Sequence, residues 1–169
     1  MKSKIVFSSL LILVAVFISS CSPKPSPQQS NQTLLKTNIS SANCGPKVLL
    51  EVLKIYGIPA TEEELVRLSD TQNGESSFYG LSKAVESKGL KCLGAKVSFD
   101  KLKTLAKDNQ IIVHYSQNHH FVLIKQITDK AVSIYDPGLI AIAGPQIPIH
   151  LFLSDWDGNV LIINKELKV

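Results

Sequence analysis

The chain has 169 residues, 44% of them hydrophobic and 19% charged, which suits one domain built around one core. Eighteen basic residues against 14 acidic ones give a formal charge of +4, and Arg67 is the sole arginine, so no basic stripe exists for a nucleic acid to follow. Three cysteines are too few for a disulfide scaffold.

The chain opens with Lys2 and Lys4, followed by an almost unbroken apolar run from Ile5 to Ile18. That length fits the core of a signal peptide and is short for a membrane span. Small residues lead from the run into Cys21. The junction resembles the lipobox of bacterial lipoproteins, which implies removal of residues 1–20, lipid on Cys21, and a tether to a bilayer that does not span it. The plainer alternative is an ordinary secretory signal ending by chance on a cysteine. Loss of residues 1–20 leaves 16 basic against 14 acidic residues. The stretch "SPKPSPQQSNQT" holds three prolines and no apolar side chain, so residues 21–36 read as a disordered spacer. A single domain is expected over 37–169.

Within it, apolar residues at Leu49, Leu50, Val52, Leu53 and Tyr56 mark one face of a helix running from Pro46 to Tyr56. Pro46 suits a first turn, and Gly57 and Pro59 end the segment. Thr61 and Glu64 form a capping-box pattern for a second helix, with Leu65, Val66 and Leu68 inward. "DTQNGESS" is a loop, with Ser76 and Ser77 able to touch substrate or to cap the third helix. That helix is "FYGLSKAVESKG", closed by Gly89.

The period then changes. "LKCLGAKV" reads as a strand, with Cys92 a buried thiol; "SFDKLKTLAKDN" as a helix capped by Ser98; and "QIIVHY", "HFVLIKQ" and "AVSIYDP" as strands. "IAIAG" and "NVLII" add further strands around the amphipathic piece "HLFLSDW", and Trp156 is placed in the core. Helices first and antiparallel strands later indicate an α+β fold, with the N-terminal helices packed on one side of the sheet.

Cys44 stands at the start of the first helix, where free N–H groups and the helix dipole favour a thiolate. Glycine after it lets another chain approach the backbone, or serves a tight turn. A nucleophile needs a base, and the histidines are His114, His119, His120 and His150. On "HFVLIKQ", His120 shares a face with Val122 and Ile124, while His119 is expected to point away into solvent. If the following hairpin turns about Thr128, His120 and Asp136 fall opposite one another. A two-residue turn at Thr128–Asp129 would instead send Asp136 to the other face. In the favourable register the carboxylate holds one ring nitrogen and frees the other for the Cys44 proton. Asp136-Pro137-Gly138 is equally ordinary turn chemistry. Without Cys-x-x-Cys or His-x-x-x-His spacing, zinc has little support, and no metal or organic cofactor is implied.

"NCGPKVLLEVL", "HHFVLIK" and "VSIYDPG", in that order and spacing, resemble the papain-like peptidase domains of bacteriocin exporters, which remove double-glycine leader peptides. The likeness continues through "NGESSFYGLSKAVESKGLKC" and "FLSDWDGNVLII". It implies a papain-like cysteine peptidase fold with Cys44 as nucleophile, His120 as general base and acid, and Asp136 as its orienting partner. The family usually carries glutamine six residues before the cysteine, where its amide helps bind the oxyanion. Asn38 stands there instead, with the same donor on a shorter arm.

The resulting expectation is a monomeric, membrane-anchored cysteine peptidase of the cell envelope. Its partners would be a peptide or protein substrate and, through Cys21, a lipid bilayer. Two rivals accompany it. One is a catalytically silent peptide-binding module of the same fold. The other is a structural lipoprotein with a Cys44–Cys92 disulfide, which an oxidising compartment favours.

Overall fold

A computed structural model describes residues 42–139 and 144–167. The signal segment 1–20, the Cys21 anchor, the spacer 21–36, Asn38 and all but the last residue of the "IAIAG" strand lie outside the described residues. In chain order the elements are α1 (Cys44–Ile55), α2 (Glu62–Leu68), α3 (Phe78–Ser87), β1 (Lys91–Lys96), α4 (Phe99–Leu105), β2 (Gln110–Tyr115), β3 (His120–Ile127), β4 (Ala131–Tyr135), β5 (Gln146–Pro148), α5 (Ile149–Asp155) and β6 (Trp156–Asn164).

The helix starts are built as the sequence suggests, with one shift. Thr61 accepts the Glu64 N–H at 3.2 Å, Ser77 that of Gly80 at 3.0 Å and Ser98 that of Lys101 at 3.3 Å, so α2, α3 and α4 each carry a hydroxyl cap. α1 begins at Cys44, two residues before the expected Pro46, which puts the cysteine inside the first turn. Pro46 still costs nothing there, because a first-turn N–H has no partner within the helix. Val48, Leu49, Val52 and Leu53 are fully buried along one stripe, and Gly57, at φ 71°, supplies the left-handed residue beyond the helix end. In α2 only Leu65 is fully buried; Val66 and Leu68 are half-covered.

All six strands pair antiparallel in the order β1-β6-β2-β3-β4-β5. Strict alternation gives the sheet two apolar faces. Ile112, Phe121, Leu123, Leu161 and Ile163 pack with α1, α2 and α3, the arrangement expected of the N-terminal helices. Ile111, Val113, Val122, Ile124, Val160 and Ile162 face the other way and are covered by Leu102 and Leu105 of α4 and Phe152 of α5. The sheet is therefore the middle of three layers. Trp156 is buried in the second core and begins β6, so that strand starts three residues before the expected "NVLII".

β1 is an edge strand, and Cys92 on it is half-buried rather than sealed in the core, because β1 has a neighbour on one side only.

The β3–β4 hairpin corrects the expected register. Thr128 N–H donates to the Ala131 carbonyl at 2.9 Å, so the turn closes on Asp129 and Lys130 instead of about Thr128. The Thr128 hydroxyl also accepts the N–H groups of Lys130 and Ala131, which draws the turn forward. Pairing begins as Ile127↔Val132 and Gln126↔Ser133, then shifts at a bulge on Lys125 to Ile124↔Ile134 and Leu123↔Tyr135. Continued without the bulge, the first register would place Asp136 on the face of Phe121 and Leu123. One extra residue on β3 returns it to the face of His120.

Candidate active site

Cys44 is positioned by three surroundings. Before it, Asn43 adopts φ 63°, ψ 29°, a left-handed conformation that asparagine tolerates better than most residues, and its side chain does not cap α1. Cys44 thus lies at the positive end of a twelve-residue helix with no side-chain N-cap competing for its first N–H groups.

After it, Gly45 is packed against the loop between α2 and α3. A Cβ at Gly45 would lie 2.7 Å from Ser76 Oγ and 2.8 Å from Ser76 Cβ. Ser76 is itself held by a hydroxyl chain. Ser69 donates to the Leu65 carbonyl at 2.7 Å, which leaves Thr71 to donate to Ser69 and Ser76 to donate to Thr71, each at 2.7 Å. The chain that glycine admits is this loop. Ser77 caps α3, and Ser76 serves the loop.

Beside it runs the end of β3. The β3–β4 ladder stops at Leu123↔Tyr135, so among the described residues Phe121 has no strand partner on that side, and its N–H donates to Cys44 Sγ at 3.5 Å. No feature of the sequence singles out this backbone donor.

His120, 1% exposed, directs Nε2 to Asp136 Oδ1 at 2.7 Å. Asp136 is 3% exposed, and the same Oδ1 accepts the Gly138 N–H at 2.8 Å. The Asp-Pro-Gly segment is therefore a turn and a carboxylate partner at once. With Nε2 on Asp136, the buried Nδ1 is the ring nitrogen left to face the Cys44 sulfur, the other group that acts on this imidazole. Cys44, His120 and Asp136 are all buried, and the imidazole interacts with both the sulfur and the carboxylate.

The electrostatics reflect that packing. Burial pushes the Cys44 thiol up, but the His120 ring, the Phe121 N–H and the Gly45 N–H outweigh it and hold the thiol below its usual range. Burial pulls His120 down, but the hydrogen bonds and charges of Asp136 and Cys44 outweigh it and raise the imidazole to about 9. A lowered thiol beside a raised imidazole favours the thiolate–imidazolium pair over the neutral pair. Such a pair has the composition that nucleophilic attack on a carbonyl requires.

The remaining candidates are elsewhere. His119 is exposed at φ 49°, His150 is exposed, and His114 packs against Phe121 with ring centroids 4.8 Å apart. Both Cys44 and Cys92 are free thiols, which removes the disulfide reading. Cys92 lies against α3, its Sγ 3.7 Å from the Ser82 carbonyl, with burial and Glu86 pushing it up to about 11. Among the described residues no group of three or more His, Cys, Asp or Glu side chains is placed to hold a metal ion.

Residues 34–168 match the Peptidase C39 family. An uncharacterized protein of Methanothermobacter thermautotrophicus is 33% identical over 125 residues, covering 74% of this chain and 84% of its own. One of Methanothermobacter marburgensis is 28% identical over 127 residues, covering 75% and 85%. Among solved structures, the double glycine motif protease from an AMS/PCAT transporter, in complex with its leader peptide, is 26% identical with TM-score 0.64, covering 75% of this chain and 86% of that one. The peptidase domain of Streptococcus ComA shares the fold at 22% identity and TM-score 0.65, covering 76% and 96%. With the match spanning every described residue, this protein belongs to the Peptidase C39 family.

Proposed function

We propose that the chain is a cysteine-type peptidase in which Cys44, His120 and Asp136 act as nucleophile, proton carrier and orienting carboxylate. The observation that carries this reading is the buried grouping of Cys44, His120 and Asp136, with its 2.7 Å His120–Asp136 bond. A neighbour at 26% identity held with a leader peptide supports a peptide as the ligand.

The Cys44 thiolate attacks the scissile carbonyl carbon, and the displaced π pair moves to oxygen. The backbone N–H of Cys44 and the Asn38 amide are the donors assigned to that oxyanion. Collapse breaks the C–N bond, and the leaving amine takes the proton from His120 Nδ1, leaving a thioester. Neutral His120 then takes a proton from water as the water oxygen adds to the thioester carbon. The second collapse returns an electron pair to sulfur, releases the carboxylic acid product and restores thiolate and imidazolium. Asp136 holds Nε2 throughout, which fixes the tautomer and stabilises the charged ring.

The proposal extends to location. Lipid on Cys21 after removal of residues 1–20 would hold the domain at the outer face of a membrane, with residues 21–36 as its tether. The substrate is then an exported peptide or protein. Labelled palmitate should enter the wild-type chain and not a Cys21→Ser variant, and an unlabelled wild type would end this part of the reading.

Hydrolysis itself is tested by peptide-library cleavage with the chain from Gln32 onward, beside Cys44→Ala. Cleavage by the wild type alone is expected. Equal cleavage by both ends the peptidase reading, and peptide capture without cleavage by either replaces it with a silent binding module.

A further inference from the structure

Asn43 is fastened from three directions by three parts of the chain. Its N–H donates to the Gly74 carbonyl at 3.0 Å, and its carbonyl accepts the Lys47 N–H at 3.0 Å. Its side-chain amide donates to Glu62 Oε1, at the start of α2, at 3.1 Å. Lys47, one turn into α1, places Nζ 3.9 Å from the same Glu62 oxygen and donates to the Ala42 carbonyl at 3.0 Å. Asparagine before a helix ordinarily turns its side chain onto the helix N–H groups. Here it does not, and its backbone is left-handed at φ 63°.

That conformation has a directional consequence. The torsion about the Cα–C bond of Asn43 sets the plane of the Asn43–Cys44 peptide, and hence where the Cys44 N–H points. The same N–H is the backbone donor assigned above to the oxyanion, so the inference rests on that reading. A left-handed backbone is unfavourable for most side chains, and an ordinary capping conformation was open to asparagine at a helix start. The Glu62 bond ties the left-handed residue to a neighbouring helix and keeps its side chain from turning back into an ordinary cap.

We propose that Glu62 and Asn43 form a latch that aims the Cys44 N–H, making both positioning residues for carbonyl attack without either touching the reacting atoms. The latch sets oxyanion geometry and leaves the sulfur's own partners, His120 and the Phe121 and Gly45 N–H groups, untouched.

The two roles separate in one experiment on the full chain in mild detergent. p-Nitrophenyl acetate acylates Cys44 by forming a sulfur–carbonyl bond and expelling p-nitrophenolate, through an oxyanion. Iodoacetamide alkylates the same sulfur by displacing iodide at a saturated carbon, with no oxyanion. Both adducts are quantified on the Cys44 peptide by mass spectrometry, with Cys44→Ala as the blank.

Glu62→Ala and Asn43→Ala should each slow acylation by about 10- to 100-fold while alkylation stays near the wild-type rate. Glu62→Gln keeps an acceptor for the Asn43 amide and should acylate like the wild type. Joining the two alanine changes should cost no more than the worse of them alone. Acylation of Glu62→Ala at the wild-type rate overturns the latch. So does an equal loss of both reactions, which would mark a general disturbance of the site. A wild type that is alkylated but never acylated at Cys44 overturns the peptidase reading and the latch together, an outcome distinct from failure of the latch alone.

Discussion

His120 and Asp136 are bonded at 2.7 Å although they are not partners in the hairpin that carries them. The ladder pairs Leu123 with Tyr135, and one more step along it sets Asp136 opposite Val122. Asp136 and His120 are therefore diagonal neighbours on one face, a separation that long side chains span. The carboxylate leans along the strand toward the ring, and the Gly138 N–H fixes it there.

Replacing Asp136 with asparagine removes the charge that raises His120. Turnover should fall on the order of 100-fold or more. The pH at which iodoacetamide begins to alkylate Cys44 should move up toward that of an ordinary thiol, near about 8.5. An alkylation profile unchanged from wild type would show that Asp136 does not support the ion pair.

Activity should follow a bell in pH, with an acid limb below the ordinary thiol range and an alkaline limb near about 9, where His120 gives up its proton. Stability carries the opposite signature for the imidazole. His120 binds its proton more tightly in the fold than its ordinary 6.5, so its contribution is complete below about 6.5 and is lost as pH rises through the folded value. Cys44→Ala removes the sulfur's contribution of opposite sign. The Tm advantage of Cys44→Ala over Cys44→Ala/His120→Gln should therefore shrink as pH rises above about 6.5, over a shorter window than in the wild type because Cys44 no longer helps Asp136 to raise the imidazole.

On the proposed role of Asn38 as an oxyanion donor, Asn38→Ala should reduce turnover on the order of 100-fold with little change in KM. Steady-state kinetics on a cleaved peptide measures the split. A change confined to KM would assign Asn38 to substrate binding.

Gly45→Ala should destabilise the domain by about 1–3 kcal/mol, because its Cβ would meet Ser76 Oγ at 2.7 Å and Leu81 Cδ2 at 3.2 Å. Ser76 is pinned by the hydroxyl chain through Thr71 and Ser69 and cannot swing aside cheaply. Urea melts of the two proteins test this.

Much of the helical half was legible in the residues, because its signals are local. Thr61, Ser77 and Ser98 cap the helices they precede, and the stripe along α1 is buried as its period suggests. The sheet was less so. Its turn depends on one threonine hydroxyl and its register on a bulge at Lys125, and neither leaves a trace in apolar periodicity. Cys92 was placed too deep because an edge position depends on strand order, which no strand encodes by itself. Around Cys44, the side chains could be named, but the Phe121 N–H and the Asn43–Glu62 bond could not. They arise from where a ladder stops and from how two helices meet.

The bulge at Lys125 also restricts how this hairpin can change over evolutionary time. Single-residue insertions or deletions between His120 and Asp136 would invert the facing of one against the other, whereas changes of two would preserve it. Length variation in that hairpin should therefore come in even steps, or in compensated pairs, wherever the carboxylate still serves the imidazole.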